Sequence, residues 1–184
     1  MNKNNLLKFI QKYSLGGLIE SVAWNAEGTK LSVRFISDDK TLLGEVDFNA
    51  FTSDAFNVGI YTTSLLKNMI GVLDSDIKLK VDKAGDKAVT LKLNSDDTET
   101  SYQLADLGVI PPVPDLKALP DFGIEIDMTS QMVDRFIKAK GALSDVDTFT
   151  IYTEDGDLKM AIGYSSISTN RVTFTAQKDF TGDV

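Results

Sequence analysis

Apolar residues recur along this chain with two periods that alternate in blocks. Over residues 4–13, Leu6, Phe9, Ile10 and Tyr13 fall at the spacing of one helix face, with Lys8 and Lys12 turned away from it. Residues 63–72 form a second such stretch, with Leu65, Leu66, Met69 and Val72 as the apolar face and Lys67 opposite. Residues 129–140 form a third, with Met132, Phe136 and Ala139 inward and Arg135 and Lys138 off that face. After each helix the period drops to two, the spacing of a half-buried strand. The first set of strands reads LIESVAW, KLSVRFI and TLLGEVDF, the second IKLKVD, AVTLKL and SYQLA, the third TFTIYT, DLKMAIG and RVTFTA. The turns 25–29, 83–86 and 154–157 each carry one glycine.

The blocks repeat in register. A shift of 127 places Lys8, Phe9 and Ile10 on Arg135, Phe136 and Ile137, then Val22 and Trp24 on Phe149 and Ile151, then Leu31, Val33 and Phe35 on Leu158, Met160 and Ile162. A shift of 66 places VGIYTTSLLKNMI, from Val58, on IEIDMTSQMVDRF, from Ile124, with Thr63 and Ser64 on Thr129 and Ser130. Both segments predict a short strand and then a helix that starts at Thr/Ser. The fold class is therefore α+β, built of tandem repeated helix-plus-antiparallel-sheet units.

All four prolines lie in GVIPPVPDLKALPD, where they favour an extended connector over a ladder strand. The expected organisation is a first domain of two units over 1–107, a connector over 108–121, and a second domain of one unit over 122–184. By its own period the chain would continue for roughly 53 residues more, to about residue 237, so the second domain reads as incomplete and the sequence as C-terminally truncated.

Composition narrows the chemistry. There is no cysteine, which removes disulfides, thiol nucleophiles and Cys-ligated metals, and no histidine, which removes the commonest general base and metal ligand. The acidic clusters Asp38-Asp39, Asp74-Ser75-Asp76, Asp96-Asp97 and Glu154-Asp155-Gly156-Asp157 lack the spacing and closing Glu of a calcium loop and sit at turns, where Asp bonds its own backbone. Trp24 takes an alternating apolar position and reads as core. No catalytic residue, metal ligand or cofactor motif is found, and the protein is expected not to be an enzyme. Without a signal-peptide core or a long apolar run, the cytoplasm is the expected location.

Net charge is −8, with 19 basic and 27 acidic residues, yet the sign is unevenly spread. Lys3, Lys8, Lys12, Lys67, Arg135, Lys138 and Lys140 lie on or at the three helices against one acid, Asp134. The remainder of the chain is left with 12 basic and 26 acidic residues. Positive helix faces on an acidic protein suit sequence-independent contact with phosphates.

Together these features resemble the DNA polymerase sliding clamps. The stretch FNVGIYTTSLLKNMIGVLDSDIKLKV, residues 56–81, is most similar to clamps of tailed bacteriophages, and IDMTSQMVDRFIKAKGALSDVDTFTIYTEDGDLKMAI resembles their second domain. The resemblance implies the DNA-clamp fold and a processivity factor: a homotrimeric ring around duplex DNA, loaded by a clamp loader and tethering the replicative DNA polymerase in the cytoplasm of an infected bacterial host. It implies that Lys8, Lys12, Lys67, Arg135 and Lys138 face DNA, with Lys3 and Lys140 at helix ends. It also implies that client peptides bind beside the connector, at Val109, Ile110 and Val113. Two other classes compete: a phage structural or assembly protein of repeated β-rich units with no DNA role, and a carboxylate-dependent enzyme.

Overall fold

The computed structural model describes residues 1–49, 51–115, 121–122, 124–163 and 170–181. It divides into two compact units, Met1–Asp115 and Leu116–Val184. Residues 116–120 of the expected connector lie outside the described residues.

The first unit opens with α1 (Lys3–Ser14), capped by Asn2, whose Oδ1 accepts from the Asn4 amide at 3.0 Å. Strands β1 (Val22–Glu27), β2 (Lys30–Ile36) and β3 (Leu43–Phe48) follow as a meander, and β4 (Phe56–Ile60) returns to pair with β1, giving the antiparallel order β3-β2-β1-β4. Helix α2 (Thr63–Gly71) leads into a second meander, β5 (Lys78–Ala84), β6 (Lys87–Ser95) and β7 (Thr98–Gln103). The inward residues of β2, Leu31, Val33 and Phe35, alternate with half-buried ones, as a sheet with one face on the core requires.

The two halves of this unit exchange their opening strands. β4 pairs with β1, and residues 1–2 pair with 75–77 at the mouth of β5: the Met1 ammonium donates to the Ile77 carbonyl at 2.8 Å and the Lys3 amide to that of Ser75 at 2.8 Å. Helices α1 and α2 pack together between these junctions. An approximate two-fold axis therefore relates the halves.

The start of α2 departs from the sequence reading. No side chain of Thr62 caps it; Glu20 does so from the segment before β1, its Oε2 accepting from the Ser64 amide at 2.9 Å and its carbonyl from the Thr63 hydroxyl at 2.8 Å. This anchoring also corrects the expected apolar face. Thr63, Leu66 and Ile70 are buried, whereas Leu65 and Val72 are 51% and 67% exposed.

The second unit contains α3 (Ser130–Ala142), whose Thr129 cap accepts from the Met132 amide at 3.2 Å, and the strands β8 (Phe149–Glu154), β9 (Asp157–Ile162) and β10 (Val172–Gln177), ordered β10-β9-β8. Met132 and Ala139 of α3 are buried, as are Leu158, Met160 and Ile162 of β9, and Phe136 meets Phe149 edge-on at 5.3 Å. The β8–β9 turn places Asp155 and Gly156 both at positive φ, 55° and 78°, which suits the right-handed twist of a two-residue hairpin.

The strand expected at 124–127 forms no ladder. Its burial still alternates, with Ile124 and Ile126 half-buried and Glu125 and Asp127 exposed. Residues 125–127 share a cleft with Ala176 and Gln177 at the end of β10, where β10 carries a bulge against β9 between Thr175 and Gln177.

Candidate nucleic-acid interface

Many of the cations on the strands are paired: Lys30 with Asp47 at 2.8 Å, Lys92 and Lys80 with Asp82 at 2.8 and 3.2 Å, Lys87 with Asp106 at 2.5 Å, and Lys159 with Glu154 at 2.6 Å, whereas Lys78 and Lys83 on β5, and Lys40 and Lys178 beside strands, are exposed and make no ion pair among the described residues. Hydrogen bonds from Lys92 and then Lys80 hold the Asp82 carboxyl below its ordinary range. Lys87, followed by the Gly108 amide, does the same for Asp106, and Lys159 for Glu154. Asp47, Asp82 and Glu154 in turn push Lys30, Lys92 and Lys159 upward through their hydrogen bonds.

On the helices, Lys8, Lys12, Lys67, Arg135 and Lys138 are exposed and make no ion pair or side-chain hydrogen bond among the described residues. Lys8 and Lys12 stand four residues apart on α1, away from the buried Leu6, Phe9, Ile10 and Tyr13. Such groups keep their full charge for an external anion.

Lys3 and Lys140, which the sequence sets apart at helix ends, are engaged within the fold. Lys3 donates to the Leu73 carbonyl and approaches that of Gly71 at 3.5 Å, so it satisfies the C-terminal end of α2, a helix with no basic residue in its own last turn. Lys140 donates to the Ser144 carbonyl at 2.7 Å, just past the end of α3. Both charges complete helix termini.

The connector residues expected to bind partners do not form one pocket. Ile110 is 9% exposed and packs over Gly59, where an added Cβ would meet its Cγ1 at 3.1 Å. With Val113 and Pro112 it walls a cleft of about 410 Å³ over Ala23, Asn25 and Arg34. Arg34 pins this stretch, donating to Asp115 at 3.0 Å and to the Pro114 carbonyl at 2.6 Å. Val109 faces a second cleft of about 310 Å³ with Leu18, Tyr61 and Pro111, and Leu18, Tyr61 and Val109 are each 58% exposed. Leu18 was read as strand and Tyr61 as a strand end, so this apolar cluster was not visible in the sequence; it arises because β1 begins only at Val22.

The acidic clusters act locally, as expected of turns. Asp39 accepts from Ser37 and Thr41 and is held below its usual range by the Ser37 hydroxyl first, and Asp74 accepts from Ser95 at 3.3 Å.

No family model matches the chain, and no curated protein matches it. Solved structures do. Over 100% of its length the chain superposes on 74% of a chain in the complex of the C-terminal region of FEN-1 with A. fulgidus PCNA, with a TM-score of 0.68 at 16% identity. PCNA from Thermococcus kodakaraensis matches 100% of the chain over 73% of its own length, with a TM-score of 0.64 at 13% identity. Proliferating Cellular Nuclear Antigen from Entamoeba histolytica matches 94% over 71%, at 0.60 and 18% identity. The chain has the DNA-clamp fold.

Proposed function

We propose that this protein is a DNA sliding clamp, a non-enzymatic processivity factor that encircles duplex DNA as a ring, three copies by the family resemblance, and tethers a replicative polymerase. The observation that carries this reading is that five cations on the exposed helix faces are all left unpaired, while six beyond the helices, Lys30, Arg34, Lys80, Lys87, Lys92 and Lys159, are engaged by carboxylates. In a ring whose inner wall is made of helices, Lys8, Lys12, Lys67, Arg135 and Lys138 meet phosphates, and the acidic strands and turns face outward. Spread over three helix faces, the five form a diffuse positive lining for phosphates, so contact with DNA is independent of sequence.

Retention then comes from topology, with clamp loader and polymerase acting through the outer face. The two clefts beside the connector, at Val109 and at Ile110 with Val113, are the apolar sites offered to client peptides. In the similar structure from A. fulgidus, PCNA has the C-terminal region of FEN-1 bound to it, which supports a protein partner here. The similarity of residues 56–81 to phage clamps supports a tailed-bacteriophage source and the cytoplasm of an infected host.

The test is retention on DNA in the presence of a loader and polymerase. The clamp reading expects the protein to remain on closed circular DNA and to slide off linear DNA. Changing Lys8, Lys67 and Lys138 together to Glu is expected to abolish stimulation of synthesis while the oligomer persists. Undiminished stimulation by that variant would sink the proposal and leave the assembly-protein reading.

A further inference from the structure

Beneath the connector, the outer face of the first sheet carries a row of polar side chains. In the antiparallel register Ser32 of β2, Asn25 of β1 and Asn57 of β4 stand side by side, and all three line the cleft walled by Ile110, Pro112 and Val113. Trp24 and Val58 turn into the core, so the neighbouring Asn25 and Asn57 turn outward. The Ser32 hydroxyl donates to the Asn25 carbonyl at 3.3 Å, but the two side-chain amides make no hydrogen bond among the described residues. Adjacent strands lie about 4.8 Å apart, so the row is about 10 Å long, the reach of about three extended residues.

The connector crosses this row as a strap held at two points. At one end Ile110 is buried over Gly59. At the other is Arg34, next to Ser32 along the same face of β2, which donates to the Pro114 carbonyl at 2.6 Å and to the Asp115 carboxylate at 3.0 Å. Glu45 is the cross-strand neighbour of Arg34, yet the ion pair goes to Asp115. Only Pro111, Pro112 and Val113 lie between the anchors, and the two proline rings stiffen the span. The anchors are unequal, because the Asp115 side chain is 96% exposed and an exposed ion pair contributes little.

What Arg34 holds is a piece of peptide: a main-chain carbonyl and the carboxylate of the next residue. The planar fork of a guanidinium suits that pair of acceptors, and each asparagine amide offers one donor group and one acceptor to a main chain beside it. Charge, main-chain partners and the apolar walls of Ile110 and Val113 thus converge on one cleft, and residues 114–115 occupy its only cation.

Resting on the reading of this cleft as a partner site, we infer that it takes an extended segment of a partner protein that carries Asp or Glu, and that Pro114-Asp115 is a built-in competitor which the segment displaces. The incoming main chain lies on Asn25 and Asn57, and its carboxylate replaces that of Asp115 on Arg34. Arg34 is then the residue that selects for the acidic side chain, and the strap swings about Ile110 to admit it.

Val113 and Asp115 carry the only amide protons between residues 111 and 115, so nitrogen relaxation at these two reads the strap. Arg34→Gln is expected to lower the heteronuclear NOE at both and to leave that of Ile110 unchanged. The probe for the cleft is acetyl-Val-Pro-Asp-amide, a copy of residues 113–115, titrated while the side-chain amide signals of Asn25 and Asn57 are followed. D115N is expected to bind it about three- to fivefold more tightly than the wild-type protein, because the internal competitor is weakened. Acetyl-Val-Pro-Asn-amide is expected to bind about tenfold more weakly than the Asp peptide, and R34Q to lose that preference with an unchanged circular dichroism spectrum. Equal binding of the two peptides, no binding of either, or shifts as large from inorganic phosphate at the same concentration would overturn the selection for an acidic segment. Equal affinities of D115N and wild type, or an unaltered NOE at Val113 in R34Q, would overturn the competitor. None of these readouts involves DNA, so their failure is distinct from a failure of retention on circular DNA.

Discussion

Trp24 has no exposed surface, and its indole N–H must find an acceptor inside the core. Tyr13 provides one: Trp24 Nε1 donates to the Tyr13 hydroxyl at 3.1 Å. Thr63 spends its own proton on the Glu20 carbonyl, so at the 3.2 Å contact between Tyr13 and Thr63 the tyrosine is the donor. Burial pushes the Tyr13 phenol well above its ordinary range, which keeps it a neutral donor at every working pH. Tyr13→Phe strands the indole N–H and the threonine lone pair together and is expected to lower stability by about 1–3 kcal/mol, read from the urea midpoint at unchanged m-value. Trp24 was legible as a core residue from its alternating position; its need for Tyr13 was not, because periodicity marks where a side chain points and says nothing of its polar tip. Periodicity likewise places Lys3 at a helix end without showing the carbonyl that it reaches. Lys3→Met is expected to cost about 1 kcal/mol by uncapping α2. Lys8→Met, at an exposed position without a partner, is expected to stay within about 0.5 kcal/mol of wild type.

At the scale of elements, the helices were legible because each carries a 3.6-residue apolar period, and the repeat offset of 127 fixes the starts of β8 and β9 from those of β1 and β2. Which face of α2 turns inward was not legible. Its sequence carries two overlapping stripes, Leu65-Met69-Val72 and Leu66-Ile70, and hydrophobicity alone does not rank them. Thr63 decides: its hydroxyl is held by Glu20 and Tyr13, so the face it shares with Leu66 and Ile70 is buried and the stripe led by Leu65 is left outside. A close backbone approach was equally hidden. Gly59 on β4 accepts from the Ala105 amide at 2.9 Å, and an added Cβ there would lie 2.7 Å from the Ala105 carbonyl oxygen. Backbone on both sides cannot yield as a side-chain tip could. Gly59→Ala is therefore expected to cost about 1–3 kcal/mol and to loosen the packing of Ile110, seen as faster amide exchange at Ala105 and Ile110.

At the scale of the whole molecule, the net charge of −8 points away from nucleic acid, and only its distribution reverses that conclusion. The uneven spread was legible in the sequence once the helices were assigned. What the structure adds is that Lys30, Arg34, Lys80, Lys87, Lys92 and Lys159 are already engaged with carboxylates, so they lend little to an external anion. On the clamp reading the DNA meets the five unpaired helix cations and not the unpaired Lys78 and Lys83 of β5, and the number of helix cations sets a measurable quantity. If each neutralises one phosphate, log affinity for linear duplex falls against log salt with a slope of about −4.5 per chain, roughly a 500-fold loss between 50 and 200 mM. The affinity itself stays in the non-specific range, roughly 10⁻⁴ to 10⁻⁶ M at physiological salt. Changing Lys8, Lys67 and Lys138 to Gln leaves Arg135 and Lys12, and the slope is expected to flatten to about −1.8 with no change of preference among duplex sequences. Changing Lys80, Lys87 and Lys92 instead removes as much formal charge from the strands, and because these lysines are held by Asp82 and Asp106 the slope is expected to stay near −4.5. Titration of a labelled duplex across salt concentrations separates the two sets; equal flattening by both would show that net charge, and not the helix faces, governs contact with DNA.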